Sequence, residues 1–136
     1  MISSRRYRMF FRRDTLQDRW IRTLPVIGAS VVIFWVSSMP DASPPDIGFE
    51  WQDKVFHAAA YLIYALAMFL AVWVWSALRP VTWTLSVGGV LSAVYAISDE
   101  WHQSFVPGRH ATVDDVVADL VGIILAALLF RSLLRR

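Results

Sequence analysis

The sequence predicts an all-α fold, a polytopic membrane bundle of four transmembrane helices with both termini in the cytoplasm, and three observations carry that reading. Composition is the first: 57% of the 136 residues are hydrophobic and the mean hydropathy is +0.48, more apolar than an ordinary soluble domain with about half apolar residues. The second is length, since four apolar stretches each approach the ~20 residues that cross a ~30 Å hydrocarbon core. The third is the sorting of the basic residues to particular span ends. The chain has no cysteine, so disulfides and thiolate metal sites are excluded.

The first stretch runs from about Arg22 to Met39, behind a cluster of Arg5, Arg6, Arg8, Arg12, Arg13, Arg19 and Arg22. Residues 1–21 are accordingly read as a basic cytoplasmic segment and 22–136 as the four-helix membrane domain. A cleaved signal peptide fits less well: the apolar part exceeds a usual h-region, and "SSMPDAS" has no A-x-A pattern. The cluster also lacks the aromatic interleaving or binding module that nucleic acid would require. Topology and contact with anionic lipid explain it better.

"PDASPP", Pro40 to Pro45, is a turn-rich loop. Further spans are placed at Asp53 to Leu78, Val81 to Ser98 and Asp115 to Leu134. Lys and Arg beside spans favour the cytoplasm, so the N-terminus, the turn holding Arg79 and the C-terminus with Arg131, Arg135 and Arg136 go inside. The loops from Pro40 to Gln52 and Asp99 to Asp114 then face outward, bringing Asp41, Asp46, Glu50, Asp99, Glu100 and Asp114 with them. Tryptophans fit the same frame: Trp20, Trp73, Trp75 and Trp83 fall near the inner interface, Trp35, Trp51 and Trp101 near the outer.

Ionisable chemistry concentrates on the outward side. In "DKVFHAAAY", Asp53, His57 and Tyr61 recur every fourth residue. They share one helix face and step inward by about 6 Å each time. Asp53 alone is explained by the positive helix N-terminus. His57, inside a span, needs a partner, because ionisable groups there are expensive. In "SDEWHQSFVPGR", Asp99 and Glu100 end a helix at its negative pole and require compensation from Lys54, His102, Arg109 or a cation. His102 and Gln103 follow as loop residues, and Pro107 with Gly108 forms a turn that projects Arg109. Thr112 and Asp115 match a capping box. Asp119, one turn deeper, is not explained by capping, and Arg109 and His57 are its expected partners.

These motifs resemble those of the VanZ-like family, small bacterial membrane proteins named after one associated with resistance to the glycopeptide teicoplanin. "DKVFHAAAY" matches the family's D-K-x-x-H-x-x-x-Y and "SDEWHQSFVPGR" its S-D-E-x-x-Q-x-F-x-P-G-R, while Asp115 and Gly122 fall on a looser third block. The likeness covers about Asp53 to Ala126. Asp119 stands where the family commonly has Asn, and Ala126 where a second Gly is common. The resemblance implies a role in the bacterial cell envelope, in the cytoplasmic (inner) membrane, and supplies no reaction.

Two functions from different classes follow. In the first, the outward residues act as a hydrolase or transferase on an anionic lipid, lipid-linked or cell-wall precursor head group. His57 or Glu100 would be general base with Asp99 beside it, Tyr61 would donate or orient, and Arg109 would hold phosphate or carboxylate in its planar fork. Lys54, Asp53, His102, Gln103, Asp115 and Asp119 complete the candidate binding set. No cofactor is expected. A divalent metal at His57, Asp99, Glu100 and His102 is the lesser alternative, since no H-E-x-x-H spacing is present. In the second, Arg109 and Lys54 bind or mask such a head group, or move a lipid, for which homo-oligomerisation would be needed.

Overall fold

The computed structural model describes residues 15–43, 45–46, 48–76 and 79–135. Arg5, Arg6, Arg8, Arg12, Arg13, Pro44, Leu78 and Arg136 lie outside the described residues. Among those described there are four helices and no strand: α1 (Leu16–Ser37), α2 (Gln52–Trp75), α3 (Val81–Gln103) and α4 (Val113–Leu133). Each is long and apolar enough to cross a membrane.

Local chemistry explains where each helix starts. α1 begins at Leu16, ahead of the expected Arg22, because Thr15 and Asp18 form a capping box: Asp18 Oδ2 accepts from Thr15 N at 2.8 Å and Thr15 Oγ1 from Asp18 N at 3.2 Å. Arg19 and Arg22 are therefore helical. Pro80, extended at ψ 154°, precedes α3, and a residue with no N–H fits where helix donors are unpaired anyway. Thr112 and Asp115 cap α4 as expected, with Asp115 Oδ2 accepting from Thr112 N at 3.0 Å and from its Oγ1 at 2.6 Å.

The end of α3 corrects the expected boundary at Ser98. The helix continues through Asp99, Glu100, His102 and Gln103, so these are helical residues and not loop residues. Asp99, Glu100 and Gln103 are also buried. The acids do not unwind the helix terminus because other elements supply their surroundings, as described below. The turn then starts at Ser104, with Arg109 N donating to Val106 O at 3.2 Å across Pro107 and Gly108.

The helices alternate in direction. At one end Trp75 Nε1 of α2 donates to Thr23 Oγ1 of α1 at 3.0 Å, and Ser76 after α2 lies 3.3 Å from Thr84 of α3. At the other end Ser38 meets His102 at 2.9 Å and His57 of α2 meets Asp119 of α4 at 3.0 Å. Thus α1 and α3 run one way and α2 and α4 the other. Inside, Tyr64 stacks on Tyr95 with centroids 4.7 Å apart, Phe69 packs on Phe130 at 5.7 Å, and Tyr95 Oη donates to Ser30 O at 2.7 Å, joining α3 to α1.

The tightest seam lies between α2 and α4. A Cβ at Gly122 would run into the Ala58 carbonyl, and Ala118 and Ala126 are buried on the same α4 stripe. Small residues at four-residue spacing let membrane helix backbones approach closely. Ala126 keeps this property without a glycine, at 0% exposure. Trp73 departs from the expected belt: it is buried against Phe130, with centroids 6.3 Å apart, because its ring fills the end of this seam. Trp20, Trp35, Trp51, Trp75, Trp83 and Trp101 are exposed.

Candidate functional site

The α2–α4 seam positions the chemistry. With the backbones close at Gly122 and Ala58, His57, the residue before Ala58 on α2, meets Asp119, one turn before Gly122 on α4. Its Nδ1 lies 3.0 Å from Asp119 Oδ1 and 3.6 Å from Glu100 Oε1 on α3. Its Nε2 lies 3.8 Å from Asp115 Oδ1. One imidazole is therefore faced by carboxylates from two further helices, on both of its edges.

The acids divide by partner. Lys54 pairs with Asp115 and, at 3.2 Å, with Asp53, so Asp115 both caps α4 and holds the lysine. Asp99 Oδ2 accepts from Gln103 Nε2 at 3.1 Å, one turn along the same helix face. Gln103 is satisfied at its other end: its Nε2 reaches Ser37 Oγ at 3.3 Å and its Oε1 accepts from Arg109 Nη2 at 2.8 Å. Glu100 differs. It is 5% exposed, and neither of its carboxylate oxygens has a hydrogen-bond partner among the described residues; Asp119 Oδ2 and Tyr61 Oη share that condition.

Above this cluster two loops lock together. Gly108 has φ +74°, a left-handed conformation that L side chains rarely adopt, and a Cβ there would strike the Asp41 carboxylate. Asp41, itself at φ 55°, donates its N–H to Pro107 O at 3.3 Å. Arg109 Nη1 bonds the Ala42 carbonyl. Arg109 is thus a clamp between the α1–α2 loop and the end of α3.

Beneath the loops is a cavity of about 680 Å³, within the usual range of about 300–1,000 Å³ for small-molecule sites. Its polar lining includes Asp53, His57, Tyr61, Asp99, Gln103, Arg109 and Asp115. Its apolar flank is Val32, Ile33 and Val36 of α1 with Phe56 and Ala60 of α2. The whole Asp53, His57, Tyr61 face therefore meets one space, as the four-residue spacing suggests.

Not every candidate joins it. Glu100, Asp119 and Lys54 stand behind the cavity wall, in contact with lining residues and outside the lining itself. His102 turns away: its Nε2 is 2.9 Å from Ser38 Oγ and its ring stacks on Phe34 at 4.8 Å, docking α3 on α1. Asp119 is partnered by His57, while Arg109 engages Gln103 and Ala42. The compensation of Asp99 comes through Gln103 and that of Glu100 from His57. The expected compensators are engaged elsewhere: Lys54 with Asp115 and Asp53, His102 with Ser38, and Arg109 with Gln103 and Ala42.

Among the described residues two groups of side chains bring ligand atoms within 4.8 Å of one another: Asp53, His57 and Asp115, and His57, Glu100 and Asp119. Neither is the expected metal set, which included His102 and Asp99. Sequence reasoning also missed Ser37, Glu50 and His110 of the lining and the Ala42 carbonyl. His110 follows the turn residue Arg109 directly, a signal that was present. Ser37 and Ala42 carry none, since only the tertiary approach of α1 gives them a part.

Comparison with known proteins agrees with these motifs. No curated protein matches the chain, and no solved structure does. The VanZ/LLP1 family model matches residues 7–135, nearly the whole chain. With four helices able to span a membrane and the motif residues gathered at one end of the bundle, the chain belongs to the VanZ/LLP1 family.

Proposed function

We propose that the cavity receives the anionic head group of a lipid or lipid-linked cell-envelope precursor on the outer side of the bacterial cytoplasmic membrane, and that the protein hydrolyses or transfers it. The observation that carries this reading is the amphiphilic wall. A polar chamber holding His57, Asp99 and Arg109 opens onto an apolar flank of Val32, Ile33, Val36 and Phe56 on span helices. A head group and its attached chain have the same division. A wholly soluble substrate would gain nothing from the flank.

Arg109 is the anion holder. Its guanidinium is fixed by Gln103 and Ala42, and a preorganised fork suits phosphate or carboxylate. His57, lining the cavity and backed by Glu100 and Asp119, is the accessible edge of the proton-accepting centre. The Asp119 carboxylate, 3.0 Å from Nδ1, orients the imidazole for that role. Tyr61 adds a hydroxyl at the cavity wall.

The test is a time course. Purified protein in nanodiscs of extracted envelope lipid is followed by mass spectrometry beside His57→Ala and Glu100→Gln. A time-dependent mass change, lost in the folded variants, is expected. Lipid that co-purifies and stays unchanged would replace turnover with a binding or masking role.

A further inference from the structure

We propose that His57, Glu100 and Asp119 form a binding site for one divalent transition-metal cation, of the Zn²⁺ or Mn²⁺ class, at the junction of α2, α3 and α4. The site stands on geometry and charge. Its consequence for catalysis rests on the function proposed above: with His57 held as a ligand, the ion would take over from it the activation of water.

Charge separates this group from its neighbour. Asp53 and Asp115 have Lys54 between them, a fixed cation in direct contact with both. Asp99 has the Gln103 amide. Among the described residues Glu100 and Asp119 have only His57, which carries at most one positive charge against two carboxylates. Buried carboxylates without paired charge are expensive, and a buried cation is among the few ways to compensate them.

The open valences agree. Glu100 is more than nine-tenths buried, has no hydrogen bond at either oxygen, and points Oε1 at the imidazole. Asp119, 0% exposed, has Oδ2 equally unpartnered. These are independent of the proximity of the three residues and leave acceptor positions open beside the imidazole.

Distances fit as well. Metal–ligand bonds of about 2.0–2.2 Å at tetrahedral or octahedral angles put adjacent ligand atoms about 2.8–3.6 Å apart. His57 Nδ1 is 3.0 Å from Asp119 Oδ1 and 3.6 Å from Glu100 Oε1. The second separation is too long for a hydrogen bond and ordinary for two ligands on one ion. One imidazole and two carboxylates, in a chain without cysteine, favour a borderline cation over soft ones. His57 supplies Nδ1, and its Nε2 edge faces Asp115 Oδ1 at 3.8 Å.

The experiment measures metal alone. Detergent-purified full-length protein, stripped with chelator, is titrated calorimetrically with ZnCl₂ and with MnCl₂. One equivalent per chain is expected, weakened at least about 10-fold in Glu100→Gln and in Asp119→Asn, and unchanged in His102→Ala. X-ray absorption on the zinc-loaded wild type, which needs no variant to fold, should show one imidazole with oxygen ligands. Absence of binding by folded wild type, binding that the two variants leave intact, or a spectrum with more than one imidazole would overturn the site. Lipid turnover that persists without metal would overturn the ion's part in catalysis while leaving the proposed function standing.

Discussion

Arg109 is the residue on which the cavity depends most. It joins the Gln103 side chain to the Ala42 carbonyl, so it positions a loop and presents charge at once. Each charge-assisted bond contributes about 1.5–3 kcal/mol. Arg109→Lys keeps the charge and loses the fork, so we expect head-group affinity to fall about 10–100-fold, measured by lipid titration in nanodiscs. An unchanged affinity would mean that charge alone is recognised. His102 illustrates what sequence does and does not disclose at this scale. It is two residues beyond Glu100, about 200° round the helix, so once α3 extends to Gln103 it must face α1 while Glu100 faces α2. With α3 ended at Ser98 that argument could not be made. Asp115 and Asp119, four apart, obey the same geometry and their shared face was legible, whereas that of Asp99 and Gln103 was not, because Gln103 was placed in the loop.

Among the elements, the α2–α4 seam matters most, because it sets the His57–Asp119 separation of 3.0 Å. Gly122→Ala places a methyl against the Ala58 carbonyl, and overpacking of this kind costs about 1–3 kcal/mol. Thermal unfolding in detergent should show a midpoint lowered by several degrees. Gly89→Ala, with nothing within 4 Å of the added Cβ, should leave it unchanged or raised. Equal behaviour of the two variants would deny the seam its tight packing. The existence of all four spans was readable from apolar runs of membrane length. Their ends were less so, since the capping box at Thr15, the Gln103 amide on Asp99 and the approach of His57 to Glu100 decide them. Gly122 was legible as a motif position, but its role as the contact with Ala58 is set by helix packing.

For the whole molecule, most of the described arginines and the cavity lie at opposite ends. Arg19 and Arg22 near the start of α1, Arg79 between α2 and α3, and Arg131 and Arg135 near the end of α4 share one end, and the cavity and its loops occupy the other. Basic residues favour the cytoplasm, so the cavity is expected outside. The natural absence of cysteine allows a direct check with Ser43→Cys and Ser132→Cys, both at exposed positions. A membrane-impermeant thiol reagent added to intact cells should label the first and spare the second; the reverse pattern would invert the topology. The most direct measurement of the central claim, that the amphiphilic cavity holds an anionic head group, is native mass spectrometry of the protein released from mixed envelope lipids. Retention of one anionic lipid per chain, lost in Arg109→Ala and kept in His102→Ala, is the predicted result. Retention without preference for anionic lipid, or unaffected by Arg109→Ala, would contradict it.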